Sequence, residues 1–507
     1  MASLIKTAAV AVAMRKCPFL SNEVLSFALK SRSLSMFAKK CPVMSKLMTQ
    51  GVVTLPATYD LKGENEAVPE EELKLPTLTK LEAPTQKNEA QPLPPKYDSI
   101  LNDNIEAKKR DSTYRTFQVL SRTAEKKPYA MARTTPLQLE DEDVSVWCSN
   151  DYLGMSSHPK VTGAVIDTIN RHGVGAGGTR SIGGTSHYHV ELEDTLADLH
   201  GKDSALLFSS CYVANDTTLQ TLGRVLNAEI YSDQGNHASM IAGINNSRMP
   251  KFVFRHNDLD HLEELLVKGD PDRMKIVAFE SVYSMTGTIA PIEELCDLAH
   301  KYNALTFVDE VHAVGLYGYH GAGLAEERGM AHKIDIVSGT LGKAYGLVGG
   351  YIASTGPLID VVRSLGSGLI FTTSIPPSTA AGAVTSINIL AQQEGRELRL
   401  RHRAAYNILR VKLLKAGFPV LDCPSHIVPL HIGDALKATL CMDTLLEKHK
   451  LYVQAINYPT VPRGRELLRF VATPYHTPRM MDYLISALDD VWSNLDLPKC
   501  ENFSLKN

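Results

Sequence analysis

Ser338-Gly339-Thr340-Leu341-Gly342-Lys343-Ala344-Tyr345-Gly346 follows a short apolar run, Ile334-Asp335-Ile336-Val337, which predicts a buried strand. A lysine among glycines and small residues sits where backbone can bend closely around a bound group. Such a lysine forms a Schiff base with an aldehyde when its surroundings keep part of the amine neutral. Alone, Lys343 would be a solvated loop residue; the residues upstream decide otherwise. Ala304-Leu305-Thr306-Phe307-Val308-Asp309-Glu310-Val311-His312 predicts a second buried strand, ending in an acid. A carboxylate at the C-terminal end of a strand points into the crevice where open α/β sheets bind ligands. An Asp beside a Schiff-base lysine is the arrangement that pyridoxal phosphate needs, because the acid keeps the pyridine nitrogen protonated and the ring able to accept electrons. Asp309 and Lys343 are therefore the candidate pair, and pyridoxal 5'-phosphate the candidate cofactor.

The 507 residues suffice for two or three domains, and 44% hydrophobic with 21% charged residues is ordinary for a globular chain. No apolar run of about 18 residues occurs, so at most a peripheral membrane association is expected. A formal charge of −3 argues against general nucleic-acid binding. The eight cysteines include no C-x-x-C pair, which disfavours a zinc ribbon, a metal site or a disulfide framework. Residues 1–50 carry eight Lys and Arg against one acid, Glu23, and are rich in Ser, Ala and Leu. That composition predicts a transit peptide and the mitochondrial matrix. Residues 51–100 alternate prolines with acids and predict a flexible linker. An N-terminal arm is expected over 101–155, a large cofactor-binding domain over 156–390, a small C-terminal domain over 391–495 and a tail over 496–507.

Val161, Val165 and Ile169 mark one face of a helix that ends at Gly173, and the glycine-rich stretch 173–184 is irregular. Strand-like runs recur at 205–208, 229–231, 252–254 and 276–279, with helical stretches between most of them. Such alternation predicts a mostly parallel sheet covered by helices. Beyond residue 390 a helical stretch and Ile427-Val428-Pro429-Leu430 suggest a smaller α/β domain.

From about Tyr114 to about Trp492 the chain resembles the α-oxoamine synthases. The resemblance rests on Trp147-Cys148-Ser149-Asn150-Asp151-Tyr152-Leu153-Gly154, Tyr231-Ser232-Asp233 with Asn236-His237-Ala238-Ser239, Val308-Asp309-Glu310-Val311-His312-Ala313-Val314-Gly315, the Lys343 stretch, and Asn457-Tyr458-Pro459-Thr460-Val461-Pro462-Arg463-Gly464. It implies an α/β fold-type I pyridoxal phosphate enzyme, with a large mostly parallel domain and a smaller C-terminal α/β domain. It also implies a homodimer with shared active sites, acting as an acyltransferase on glycine and succinyl-CoA at the first step toward haem. Lys343 is expected to hold the cofactor and act as base, Asp309 to meet the pyridine nitrogen, His237 to stack on the ring and His312 to reach its hydroxyl. Backbone at Cys211 and Tyr212, before a predicted helix, is expected at the phosphate. The resemblance adds Thr340, Ser284 and, from a second subunit, Thr372 and Thr373. Arg469 and Asn150 are expected at the glycine carboxylate and Arg115 at the succinyl carboxylate, where an arginine offers a planar fork. Ser232, Lys251 and Thr460 match further substrate positions, and Thr179 a specificity position.

In two places the chain departs from the family pattern. Ser181 stands where Asn is usual and Thr286 where Asp is usual, which concerns substrate affinity more than reaction type. A different acyl donor within the same family is the nearest alternative, namely a 2-amino-3-ketobutyrate CoA ligase or an 8-amino-7-oxononanoate synthase. A non-catalytic, haem-responsive protein on the same fold is the alternative from another class. Cys17-Pro18 and Cys41-Pro42 each follow two basic residues. A thiolate there could ligate ferric haem, and the resemblance extends to haem regulatory motifs of such precursors.

Overall fold

Three strands come first: β1 (Val119–Arg122), β2 (Tyr129–Arg133) and β3 (Glu142–Val146), joined as an antiparallel meander. Then β4 (Ser204–Phe208), β5 (Glu229–Asp233), β6 (Lys251–Phe254), β7 (Lys275–Glu280), β8 (Ala304–Asp309), β9 (Ile336–Thr340) and β10 (Gly350–Ser354) form a seven-stranded sheet. Its order is β4-β10-β9-β8-β7-β5-β6. Neighbours from β9 through β6 run parallel, and β10 runs antiparallel to both β9 and β4. The computed structural model describes residues 94–114, 116–133 and 142–500. The expected transit peptide, nearly all of the expected linker, and Cys17, Cys41 and Arg115 lie outside the described residues.

Every residue of β7 is buried, and nearly all of β8. Helices on both faces of a parallel sheet leave no solvent side, so these strands are continuous apolar runs rather than alternating ones. Helices α1 to α7 are, in chain order, Pro95–Arg110, Pro159–His172, His187–His200, Cys211–Val225, Ala238–Ser247, Leu259–Lys268 and Ile292–Lys301. α2 and α3 precede β4, and α4 to α7 connect successive strands from β4 to β8. α2 ends at Gly173 with φ +81°, as its periodicity predicts.

Two boundaries differ from expectation. The run predicted at 334–337 is a strand from Ile336, because the Asp335 carboxylate is drawn aside to accept from Thr306 N and Oγ1 at 2.8 and 2.9 Å. The strand then continues through Ser338-Gly339-Thr340, where Gly339 lies opposite Tyr351 of β10. A Cβ at Gly339 would stand 2.2 Å from that ring, so only glycine fits. Secondly, α1 begins at Pro95, inside the expected linker; Pro at the first turn presets φ for a helix.

A second core surrounds β11 (Ile427–His431), β13 (Gln454–Ile456) and β14 (Leu467–Val471), an antiparallel sheet in the order β11-β14-β13. Leu409, Leu445, Leu468, Phe470 and Trp492 fill it. The two-residue β12 (Leu451–Tyr452) pairs in parallel with β3, so the arm is stitched to this part of the chain. Trp147, just after β3, is fully buried in the second core, its ring 3.9 Å from that of His476. No helix among the described residues is long and apolar enough to cross a membrane.

Candidate active site

The C-terminal ends of β7, β8 and β9 lie side by side, and each delivers a functional group to the same edge. Register pairs Glu280 with Asp309 and Asp309 with Ser338. Asp309 is buried, with Oδ2 accepting from Asn215 Nδ2 at 2.7 Å and Oδ1 from Val311 N at 2.8 Å. Asn215 is held in turn: its Nδ2 also reaches Ser239 Oγ at 3.0 Å, and Ser338 Oγ donates to its Oδ1. Ser239 Oγ lies 2.8 Å from His237 Nδ1, and that ring caps the N-terminus of α5. Asp309, His237 and the lysine strand are thus joined through one buried amide.

Lys343 follows β9 by three residues, and its Nζ sits 3.0 Å from His312 Nε2. His312 Nδ1 lies 2.8 Å from the Tyr152 hydroxyl, which accepts from Arg469 Nη2 at 3.1 Å. Arg469 Nη1 donates to Asn150 Oδ1 at 3.2 Å. An unbroken polar chain therefore runs from Lys343 to Asn150 and Arg469, and Arg469 is itself buried with its Nε unpartnered among the described residues. A buried, partly satisfied guanidinium is a ready carboxylate site.

Burial shapes the charges. It pulls the Lys343 amine down from the usual 10.5 to about 8, against the opposing pull of Asp309. It pushes His312 well below the usual imidazole range, helped by the cations Lys343 and Arg469, so His312 is neutral. Glu280 is pushed well above the usual carboxylate range by its burial and by the neighbouring Asp309 charge. His237 is likewise lowered by burial, with Asp309 pulling the other way.

Cys211 and Tyr212 are the first residues of α4 rather than a loop before it, and Ser210 caps that helix by accepting from Val213 N at 3.2 Å. A Cβ at Gly350 would lie 2.2 Å from Cys211 N, so β10 can approach the helix end only through glycine. The N–H groups at the N-terminus of α4 face an edge already lined by Ser338, whose Oγ is 3.4 Å from Cys211 Sγ. Thr340 Oγ1 donates to Gly349 O at 3.1 Å and accepts from Gly342 N at 3.1 Å, shaping the lysine loop. Ser284 is buried after β7. These groups fit pyridoxal phosphate: a carboxylate for the ring nitrogen, a partly neutral lysine, and a helix N-terminus for the phosphate.

The remaining candidates scatter. Ser232, buried at the end of β5, accepts from Asn236 Nδ2 at 2.9 Å, while exposed Lys251 begins the neighbouring β6 and bonds Asn245. Thr460 is exposed in the segment after Asn457, to whose carbonyl its N–H donates at 3.0 Å. Thr179 bridges to Thr373 within this one chain, next to Thr372, and Arg180 anchors that loop bidentately on Glu193 at 2.7 and 2.8 Å. Ser181 is exposed, and Thr286 bonds Thr288, which reaches His256 and through it Asp233. Cys423 is buried, its thiol 3.0 Å from Ile427 O. Sequence reasoning missed Asn215 and Glu280 and gave Tyr152 no role; only the acid at a second strand end, Glu280, carried a signal that could have been used.

The sequence model described as aminotransferase class I and II matches residues 142–488, and that described as 5-aminolevulinate synthase presequence matches 11–101. The chain is 58% identical over 402 residues to the non-specific mitochondrial 5-aminolevulinate synthase of Gallus gallus, covering 79% of this chain and 63% of that protein. It is 59% identical over 403 residues to the erythroid-specific mitochondrial enzyme of Danio rerio, covering 79% and 69%. Among solved structures, a serine palmitoyltransferase of Sphingomonas wittichii superimposes with TM-score 0.72 at 28% identity, covering 80% of this chain and all of that one. Shared fold, matched sequence and the lysine–aspartate edge agree that the chain belongs to the class I and II aminotransferases and, within them, to the 5-aminolevulinate synthases.

Proposed function

We propose that this protein condenses glycine with succinyl-CoA, releasing coenzyme A and carbon dioxide, to give 5-aminolevulinate in mitochondria. The observation that carries the reading is the polar chain from Lys343 through His312 and Tyr152 to Arg469 and Asn150. It sets a base and a carboxylate site on one edge.

Pyridoxal phosphate, when bound, supplies an aldehyde that captures amines and a protonated ring that draws electrons from the carbon attached to them. Asp309, held by Asn215 and Val311 N so that it need not reorganise, would meet the ring nitrogen. His237 would pack against the ring, and the N-terminus of α4 with Thr340, Ser284 and the second subunit's copies of Thr372 and Thr373 would hold the phosphate. Lys343 removes the proton from glycine Cα. With its amine near 8, about a quarter is neutral at pH 7.5. His312 accepts from Lys343 at Nε2 and so donates from Nδ1 to Tyr152, which orients the amine without competing for its proton. Arg469 and Asn150 hold the glycine carboxylate, and Arg115 with Thr179, Ser232, Lys251 and Thr460 receives the succinyl-CoA side. The active unit is a homodimer. Haem binding at Cys17 and Cys41 of the precursor, slowing import, would provide end-product feedback.

Purified protein supplied with glycine and succinyl-CoA should release 5-aminolevulinate with one coenzyme A per product. Preference for acetyl-CoA or pimeloyl-CoA in the same assay would overturn the acyl donor and leave the chemistry.

A further inference from the structure

The polar chain from Lys343 to Arg469 passes through a tyrosine enclosed by imidazoles. The rings of His312, His402 and His426 stand 6.2, 6.2 and 4.6 Å from that of Tyr152, centre to centre. They come from separate parts of the chain: His312 follows β8, His402 lies on the helix Gln393–Lys415, and His426 immediately precedes β11. Tyr152 and all three histidines are buried. His312 bonds the Tyr152 hydroxyl. His426, the nearest ring, has no part in the reaction described above.

The hydrogen bonds of His426 fix its tautomer. Its Nδ1 lies 3.1 Å from the Tyr317 hydroxyl, whose oxygen accepts from His426 N at 3.2 Å. Among the described residues this hydroxyl bonds nothing else, so its own proton goes to Nδ1. Burial pushes the Tyr317 hydroxyl up and, with His402 and Arg469 nearby, pulls His426 well below the usual imidazole range, so both are neutral. The single ring proton of His426 is therefore on Nε2. That nitrogen is buried and makes no hydrogen bond among the described residues. A buried N–H without an acceptor is rare and needs an account. The rings of His426 and Tyr152 cross edge to face at 76°. An aromatic face is electron-rich and attracts a donor edge.

We propose that His426 donates its Nε2 proton to the face of Tyr152 and is thereby a positioning residue for glycine binding. The contact holds the ring plane, and the ring plane sets where the hydroxyl meets Arg469 Nη2 and His312 Nδ1. Tyr317 lies in the turn after β8, and His426 on the chain entering the second core. The bond between them ties the carboxylate site to the sheet that bears Asp309. The consequence for glycine rests on the reading that its carboxylate lies at Arg469.

Proton–nitrogen NMR of the holoenzyme labelled with 15N-histidine tests the contact directly. The His426 Nε2–H signal, identified by its loss in His426→Asn or His426→Gln, should lie upfield of the other imidazole N–H signals, because the Tyr152 ring current shields a proton over its face. His426→Asn keeps an oxygen where Nδ1 accepts from Tyr317 and removes the donor. Glycine affinity, read from the absorbance change of the holoenzyme, should fall about two- to tenfold. Turnover, cofactor affinity and the Michaelis constant for succinyl-CoA should stay near normal. On a Tyr152→Phe background, which lacks the hydroxyl being positioned, His426→Asn should cost no further glycine affinity. The proposal is overturned by a His426 N–H signal that is not shifted upfield, by a full further loss on Tyr152→Phe, or by an equal fall in cofactor affinity. If Tyr152→Phe and Arg469→Gln both leave glycine affinity unchanged, glycine does not lie at Arg469. The positioning role then falls with that reading, and the upfield signal would still report the contact.

Discussion

Competitive labelling of the apoprotein with trace acetic anhydride, read by peptide mass spectrometry, gives the titration curve of each lysine. Lys343 should titrate with a midpoint near 8 where an ordinary lysine titrates at 10.5. At pH 8 about half of its amine is then neutral, against about 0.3% for an ordinary lysine, so its reactive fraction rises more than a hundredfold. The causes give the variants opposite signs. Asp309 favours the ammonium, so Asp309→Asn should move the midpoint below 8; Arg469 disfavours it, so Arg469→Gln should move it up. The same shift carries a stability sign. Between about pH 8 and 10.5 the unfolded chain holds a proton that the folded chain has released, so stability rises with pH across that window. Wild type should gain on Lys343→Met by up to ~3 kcal/mol there. A Lys343 midpoint matching that of exposed Lys160 would refute the claim that burial sets this amine.

Asp309→Asn keeps the shape of the side chain and loses its charge; with a charge-assisted bond worth about 1.5–3 kcal/mol, cofactor affinity should fall about 10- to 150-fold, measured by cofactor absorbance. Tyr152→Phe removes the hydroxyl shared by His312 and Arg469, and should raise the Michaelis constant for glycine while leaving that for succinyl-CoA near normal. Arg115→Leu should do the reverse, raising the constant for succinyl-CoA more than that for glycine. Import of the wild-type precursor into isolated mitochondria should slow with added haem, and import of the Cys17→Ala/Cys41→Ala variant should not; equal inhibition of both would show that these cysteines are not the sensor.

Much of the large sheet was legible because its strands are buried on both faces. Runs such as Ile276-Val277-Ala278-Phe279 and Ala304 to Asp309 carry their own signal, and the acid or lysine after each run marks the ligand edge. Asn215 was not legible. It lies inside α4 with no local pattern, 94 residues from the carboxylate it holds, and only the pairing of β8 with β9 beneath that helix brings the two together. The boundary of β9 escaped for a different reason: a polar pair, Asp335 with Thr306, interrupts the apolar run at its start, while glycine and hydroxyl residues continue the strand. Nor could β3 pairing with the two-residue β12 be foreseen, since so short a strand has no periodicity to read.

That short pairing bears on the site. Of the groups proposed for the cofactor, Asp309 ends β8 and Lys343 follows the adjacent β9 by three residues, so both hang from the register that pairs Asp309 with Ser338. The groups proposed for the amino-acid carboxylate do not share that frame. Arg469 stands on β14 in the second core, and Asn150 and Tyr152 stand on the loop that follows β3. What aligns them is β3 against β12, with Val471 N donating to Trp147 O at 2.7 Å and Trp147 packed on His476. Electron withdrawal therefore rests on a rigid sheet, whereas substrate capture rests on a joint between two cores. The second arrangement can shift by small movements of one loop without disturbing the first.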